Sequence, residues 1–486
     1  MLDPLVLGAV LAAATFGLFI GAIPGLTATM AVALLVPVTF FLPPLPAVAC
    51  MVTATAMAIF AGDVPGALLR MPGTPASAAY CDEAYAMTRK GHAEAALGAG
   101  LVFSAIGGLF GTTVLAMAAP ALASVALKFS SFEYFWLVLL GLSAAVFVSP
   151  GQPIKAVVSL SIGLLVATVG FENPAAYPRF TFGAVELMSG VQLIPVMIGM
   201  FAVSEVVRYA TSVDRPLEVP KQGVSGILRG QGRVLRTYPI ALLRGSAVGT
   251  FVGALPGAGA DIAAWIAYGI SKRFSKTPEK FGTGHVEGIV EAGAANNAAL
   301  SGAWIPALVF GIPGDSITAI VIGVLYLKGM NPGPAIFIEN PQNIYAVMMI
   351  FFLSNLLLIP LGWVLIKAAR NLLRVPRNVL MPMILLFCVV GAFAINNSVF
   401  DVGVMIAFGL LAYFMEASGF PIAPTILGIV LGGMLEQNVV SSLIKAGGDP
   451  VAFFERPIAA TLGVATILVW LSPVFVRLVR RRAATM

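Results

Sequence analysis

Two runs decide how this chain folds: Gly253-Ala-Leu-Pro-Gly-Ala-Gly-Ala260 and Gly311-Ile-Pro-Gly-Asp-Ser316. Each sets a Pro–Gly break inside strongly apolar surroundings. Between them stand Glu287, Glu291 and the pair Asn296-Asn297, in a stretch otherwise dominated by small and apolar residues. Lipid neither hydrogen-bonds a backbone nor solvates a carboxylate. Broken helices carrying polar groups are therefore tolerated only where they face protein or a water-filled cavity. This makes residues 253–316 the expected working part, and a weaker copy lies near the N-terminus.

Working outward, the 486 residues are 59% hydrophobic and only 10% charged, against roughly 25% charged in soluble chains. A membrane helix takes about 20 mostly apolar residues, and the sequence offers about 12 such stretches. The expected fold is an all-α polytopic membrane protein with about 12 transmembrane helices plus broken or re-entrant helices. A β-barrel would show short alternating segments instead. The net charge of +6 resides in basic loops between spans, as the positive-inside rule produces, so it points to membrane lipid and not to nucleic acid. Cys50, Cys81 and Cys388 share no metal or disulfide spacing, and His92 and His285 sit beside loop charges, so no metal site is expected. Met1-Leu-Asp-Pro-Leu5 lacks a basic signal-peptide start and opens the first span.

The order of features recurs along the chain. Pro24-Gly25 is followed after an apolar helix by Pro72-Gly73, and Pro256-Gly257 by Pro313-Gly314. Paired interrupted helices at corresponding positions point to a transporter site between repeats. The arms around Pro256-Gly257 start after Arg236 and end at Lys272, so both ends are expected at the cytoplasm. The arms around Pro24-Gly25 carry no Lys or Arg at either end, so both are expected outside. Two inverted-topology repeats follow: residues 1–207, a cytoplasmic basic linker at 208–238, and residues 239–486. Arg480-Arg-Arg482 marks a cytoplasmic C-terminus, and the N-terminus is expected in the periplasm. Arms of 17–20 residues would be about 26–30 Å long, enough to cross a bilayer unless tilted.

A helix that restarts after Pro–Gly offers free amides and a partial positive charge, which suit an anion. The expected substrate-binding residues are therefore Pro24, Gly25, Leu26 and Thr27; Pro72, Gly73 and Thr74; Pro256, Gly257, Ala258 and Gly259; and Pro313, Gly314, Asp315 and Ser316. The competing reading of any single Pro–Gly is a helix kink relieved by its neighbours. Glu291, Asn296 and Asn297 suit coupling to a cation or hydrogen bonds to substrate, or else an interhelical polar clamp. Asp63 and Arg70 lie seven apart and so share a helical face. Arg70 is either a bidentate ligand for a carboxylate, a neutraliser of Asp63, or a side chain reaching for the interface. The Gly-x-Gly-Asp run of an intramembrane aspartyl protease is absent, and no enzyme is expected.

Taken together, Gly21-x-x-Pro-Gly25, Arg89-Lys-Gly91 with Glu94-Ala-x-Leu-Gly98, Pro256-Gly257-x-Gly259, Glu287-x-x-x-Glu-Ala-x-Ala-Ala-Asn-Asn-Ala298 and Gly311-Ile-Pro-Gly314 resemble the TctA family. These are the large membrane subunits of the tripartite tricarboxylate transporters, and the block from Glu291 to Gly314 is the most specific part. The resemblance implies a secondary transporter in the bacterial inner membrane, driven by an ion gradient. It would work with a small membrane subunit and a periplasmic solute-binding protein that delivers an organic acid. By the same resemblance the Pro–Gly tips, Asn296-Asn297 and Gly311 to Ser316 form the substrate region. Glu291, Asn297 and Asp315 serve ion coupling, with Na⁺ or H⁺ as the ion and no other cofactor. The first half departs from the family pattern, with Gly62-Asp-Val-Pro65 and Arg70-Met-Pro-Gly73 where Gly-Ser-Ile-Thr-like and Asn-Thr-Pro-Gly-like runs are usual. Substrate choice is accordingly expected on the first half and ion coupling on the second. A passive anion channel, or a membrane receptor for a binding protein, is the competing class. It would lack concentrative uptake.

Overall fold

The first helix begins at a local signal. Asp3 accepts the Leu5 amide at 2.8 Å and Pro4 takes the first helical position, where its missing N–H costs nothing. From there a computed structural model describes residues 3–149, 152–171, 177–211, 226–373 and 377–484. Most of the basic linker, part of the Phe171–Pro174 turn and Arg374 lie outside the described residues, as do the side chains of the C-terminal arginines.

The described residues are almost wholly helical, and eight helices are long and apolar enough to cross a membrane. Six shorter apolar helices accompany them, among them Ala28–Phe40, Pro239–Gly253 and Ser316–Leu327 beside the Pro–Gly breaks. The protein is a polytopic α-helical membrane protein. Because nearly every face is apolar, no hydrophobic stripe sets the packing; small residues do.

The chain groups into two compact units by packing, Met1–Ser124 with Leu193–Ala417, and Val125–Gln192 with Ser418–Met486. In the first unit, α1 (Pro4–Gly21) and α2 (Ala28–Phe40) form a hairpin, followed by α3 (Pro44–Ala61), α4 (Asp63–Leu69), α5 (Ala78–Arg89) and the long α6 (Ala93–Ala126). A second hairpin, α7 (Pro239–Gly253) and α8 (Gly259–Phe274), leads to α9 (Val286–Phe310) and α10 (Ser316–Leu327). Every residue of α9 from Glu287 to Val309 is buried.

Glycines let these backbones touch. A Cβ on Gly21 of α1 would stand 2.5 Å from the Ala58 carbonyl oxygen of α3, and Gly17 abuts Ala54 in the same way. On α7, Gly249 and Gly253 abut Ala295 and Ala299 of α9, while Gly107 and Gly111 of α6 press on Ala294 and Ala298 from another side. Close approach through Gly and Ala is how helices gain contact where lipid is as apolar as a side chain.

The second unit packs the helices Ser131–Val148, Pro153–Ala167, Ala423–Lys445 and Pro457–Ala484. Ser130 and Glu133 form a reciprocal cap at the first of these. Glu133 is also paired with Arg456 at 2.7 Å, and Arg179 grips Glu436 with two bonds of 2.8 and 2.7 Å. Gly163 packs directly on the Thr425 backbone.

Candidate functional site

Both predicted tips are turns from which a new helix starts, so the kink reading does not apply. At the first, the Leu26 amide bonds to the Ile23 carbonyl at 3.1 Å and Gly25 has φ of +87°. At the second, the Ala258 amide bonds to the Leu255 carbonyl at 3.1 Å and Gly257 has φ of +81°. Pro followed by a residue at positive φ is the signature of a type II turn, and glycine takes that conformation without steric cost. Thr27 then caps α2, its hydroxyl accepting the Met30 amide at 3.2 Å.

The second break of each half folds back onto the tip of the same half. Gly73 lies under α1, where a Cβ would meet the Gly21 carbonyl at 2.9 Å, and its amide bonds to the Gly62 carbonyl at 2.9 Å. Gly314 lies under α7, where a Cβ would meet the Gly253 carbonyl at 2.8 Å, and its own carbonyl accepts the Gly257 amide at 2.8 Å. Beyond each glycine the chain makes a reciprocal cap. Thr74 and Ser77 exchange amide-to-hydroxyl bonds of 3.1 Å, and Asp315 and Thr318 exchange bonds of 2.9 and 2.8 Å. The Asp315 carboxylate therefore occupies the N-terminus of α10, where an incoming anion had been expected, while the matching position in the first half is the neutral Thr74.

The halves meet at these breaks. The Ala76 amide donates to Asp261 at 3.2 Å and the Trp265 indole to the Pro75 carbonyl at 3.2 Å. Deeper in, the Tyr80 hydroxyl donates to Asp63 at 2.6 Å and accepts from Asn296 at 3.1 Å. Both amide atoms of Asn297 are buried without a partner. A family model described as the tripartite tricarboxylate transporter TctA family matches residues 7–427, which include both tips, both caps and this junction.

The chain belongs to the TctA family. A relative from Agrobacterium vitis, described as an uncharacterized 52.8 kDa protein in the TAR-I ttuC' 3' region, is 35% identical over 94% of this chain and 91% of its own length. Another from the same organism, an uncharacterized protein in the TAR-II ttuC' 3' region, is 36% identical over 46% of this chain and 94% of its own. No solved structure matches. The family description makes this TctA protein the component of a transporter that works in three parts.

Several side chains of the TctA protein stand where spacing alone does not put them. Arg70 ends α4 in the left-handed region at φ of +60° and pairs with Asp82 at 2.7 Å, with both side chains more than half exposed. The bond to Asp82 raises the guanidinium above its ordinary value, and Asp63 on the same helix is held by Tyr80 instead. Glu291 is fully buried and clasped by Arg244 through two bonds of 2.6 Å. Arg244, Tyr80 and Asp261 were missed by sequence reasoning. A lone arginine inside the apolar arm at 239–255 was the available signal for Arg244. Its partner Glu291, 47 residues away, was singled out, but nothing in the sequence signalled the pairing. Glu83 was missed too: it is buried on α5 and accepts the Gly284 and His285 amides at 2.7 Å and the Tyr268 hydroxyl at 2.8 Å.

Proposed function

We propose that this TctA protein is the large membrane subunit of an ion-gradient-driven importer of small organic acids of the di- or tricarboxylate kind. A periplasmic solute-binding protein delivers the acid and a small membrane subunit completes the complex in the bacterial inner membrane. The observation that carries the reading is the matched architecture of the two halves. Gly17, Gly21, Pro24 and Gly25 correspond in order to Gly249, Gly253, Pro256 and Gly257, and Gly73, Thr74 and Ser77 to Gly314, Asp315 and Thr318. Each set makes the same turn, close approach and cap. Two equivalent broken elements meeting at polar side chains are what an inverted-repeat transporter uses to expose one site alternately to either side.

In this reading the substrate lies between the tips at residues 24–27 and 256–259 and the turns at 72–74 and 313–316, with Asn296 and Asn297 behind. Tip amides other than those of Leu26, Gly257 and Ala258, which the turns use, hold its carboxylates. Asp315 fixes the polarity of the second turn and disfavours an anion there, so the substrate carboxylate is placed toward the Thr74 side. The repeats span residues 1–207 and 239–486 with the basic stretch 208–238 at the cytoplasm, and the N-terminus lies outside.

The test is uptake of a panel of labelled di- and tricarboxylates into vesicles carrying the complete set of partners, under imposed Na⁺ and proton gradients. Concentrative uptake that needs one of the two ions is the expected result. Simple equilibration, indifferent to both gradients, would reject it in favour of a channel.

A further inference from the structure

Resting on that reading, we propose that Asp63, with Tyr80 and Asn296, forms a monovalent-cation site, and that the cation it takes is the coupling ion. Asp63 is 7% exposed and opens α4. One oxygen accepts the Tyr80 hydroxyl at 2.6 Å. The other is buried and has no partner, and it is the one such carboxylate oxygen among the described residues. A Cβ on Gly100 of α6 would lie 3.5 Å from that oxygen, so the glycine leaves space beside it.

The groups packed around Asp63 supply no countercharge. From α5 it meets Tyr80, while the thiol of Cys81 on the same helix donates to the Gly66 carbonyl at 3.4 Å. From α6 it meets Gly100, and through Tyr80 it meets Asn296 of α9. The nearby charges are engaged elsewhere: Arg70 with Asp82, and Glu291 with Arg244. Asp315 caps α10. A carboxylate inside a membrane needs a compensating charge. With no side chain to provide one, a mobile cation does.

Hydrogen-bond direction gives the site a readable state. An ionised Asp63 can only accept, so Tyr80 must donate to it, which turns the tyrosine oxygen toward the Asn296 amide. A cation on the free oxygen satisfies the charge and leaves the Tyr80 hydroxyl donating to the other oxygen. Asp63 and Tyr80 belong to the first half and Asn296 to the second, so the site is built from both halves. A proton would form an O–H bond at the free oxygen. A sodium ion would use the same oxygen together with the unpartnered amide oxygen of Asn296.

Two measurements on the purified protein separate these sources and need no substrate. The first is saturable binding of ²²Na⁺. The second is the carbonyl stretch of a protonated carboxyl in infrared difference spectra on acidification without sodium. The proposal expects one of the two signals, and Asp63→Asn, which keeps the acceptor for Tyr80, either weakens ²²Na⁺ binding on the order of tenfold or more or deletes the infrared band. Tyr80→Phe keeps the carboxylate and shifts the affinity or the titration midpoint. It also decides the matter if Asp63→Asn does not fold. Neither signal in the wild type, or signals untouched by both variants, overturns the site. Gradient-driven uptake that survives Asp63→Asn also overturns it while leaving the transporter reading intact. An Asp63-dependent signal without any concentrative uptake does the reverse.

Discussion

Replacing Arg244 by Gln tests how this protein holds a buried negative charge. Glu291 is 0% exposed, both its oxygens are bound by the guanidinium at 2.6 Å, and Arg244 keeps 25% of its side-chain surface accessible. Removing one member of a buried ion pair costs about 3–5 kcal/mol, because the other is left desolvated and uncompensated. The two partners are not symmetric. Arg244→Gln strands a carboxylate that has no route to water, so it belongs in that range. Glu291→Gln leaves a guanidinium that already reaches the surface and can still donate to the new amide oxygen, so its cost falls below that of Arg244→Gln. The double variant restores neutrality and recovers part of the loss, with a coupling toward the upper end of about 0.5–3 kcal/mol. The assay is unfolding of the four proteins in the same detergent, followed by the fraction that stays monodisperse after heating. Arg244→Gln as stable as the wild type, or two single losses that simply add, would refute the argument that Arg244 compensates Glu291.

Gly314→Ala places a methyl 2.7 Å from the Ala303 backbone and 2.8 Å from the Gly253 carbonyl, neither of which can rotate away. A loss of about 1–3 kcal/mol is expected, whereas Gly8→Ala, with open space around it, changes stability by no more than about 1 kcal/mol. Glu83→Gln leaves one oxygen to serve a carboxylate's donors, Gly284, His285 and Tyr268 among them. It should cost about 1–3 kcal/mol and speed amide exchange at residues 282–285, read by mass spectrometry. Arg70→Ala leaves the heating profile unmoved, since both side chains of its ion pair with Asp82 are more than half exposed.

What the sequence made legible was whatever depends on local chemistry. Pro24-Gly25 and Pro256-Gly257 announce turns because proline fixes one dihedral and glycine alone takes the next without strain, and both turns are there. Long apolar runs announce membrane helices. Pairing was not legible, for a physical reason. In a soluble helix a polar face marks the side away from the core, but here lipid-facing and buried surfaces are equally apolar, so α9 shows no stripe although it is buried from Glu287 to Val309. The pattern that marks its contacts is the spacing of Gly107 and Gly111 and of Gly249 and Gly253, small residues four apart on the two helices packed against it, as Gly17 and Gly21 are on α1 against α3. That spacing says that something packs closely and does not say what. Partner choice among charges was hidden in the same way. A seven-residue interval put Asp63 and Arg70 on one face, yet the helix ends at Arg70 in a left-handed turn, which swings the guanidinium away from Asp63 to Asp82.

That swing alters how the two halves divide their labour. Had Arg70 neutralised Asp63, the first half would have carried a balanced pair and the second half the free carboxylates. The geometry is the other way round. Glu291 is balanced by Arg244 and Asp315 is spent on capping α10, while Asp63 keeps an unpartnered oxygen beside Gly100. The second half thus holds its charges in fixed structure, and the first half holds the unpartnered carboxylate oxygen that the proposed cation would complete. Thr74 at the first cap, opposite Asp315 at the second, gives the same half the turn that does not repel an anion. A cation at Asp63 and a carboxylate near Thr74 would then enter the same half of the protein, where each lowers the electrostatic cost of the other. In the proposed reading, coupling between ion and acid would rest on that proximity, with the Asn296–Tyr80 bond tying the second half to the same site.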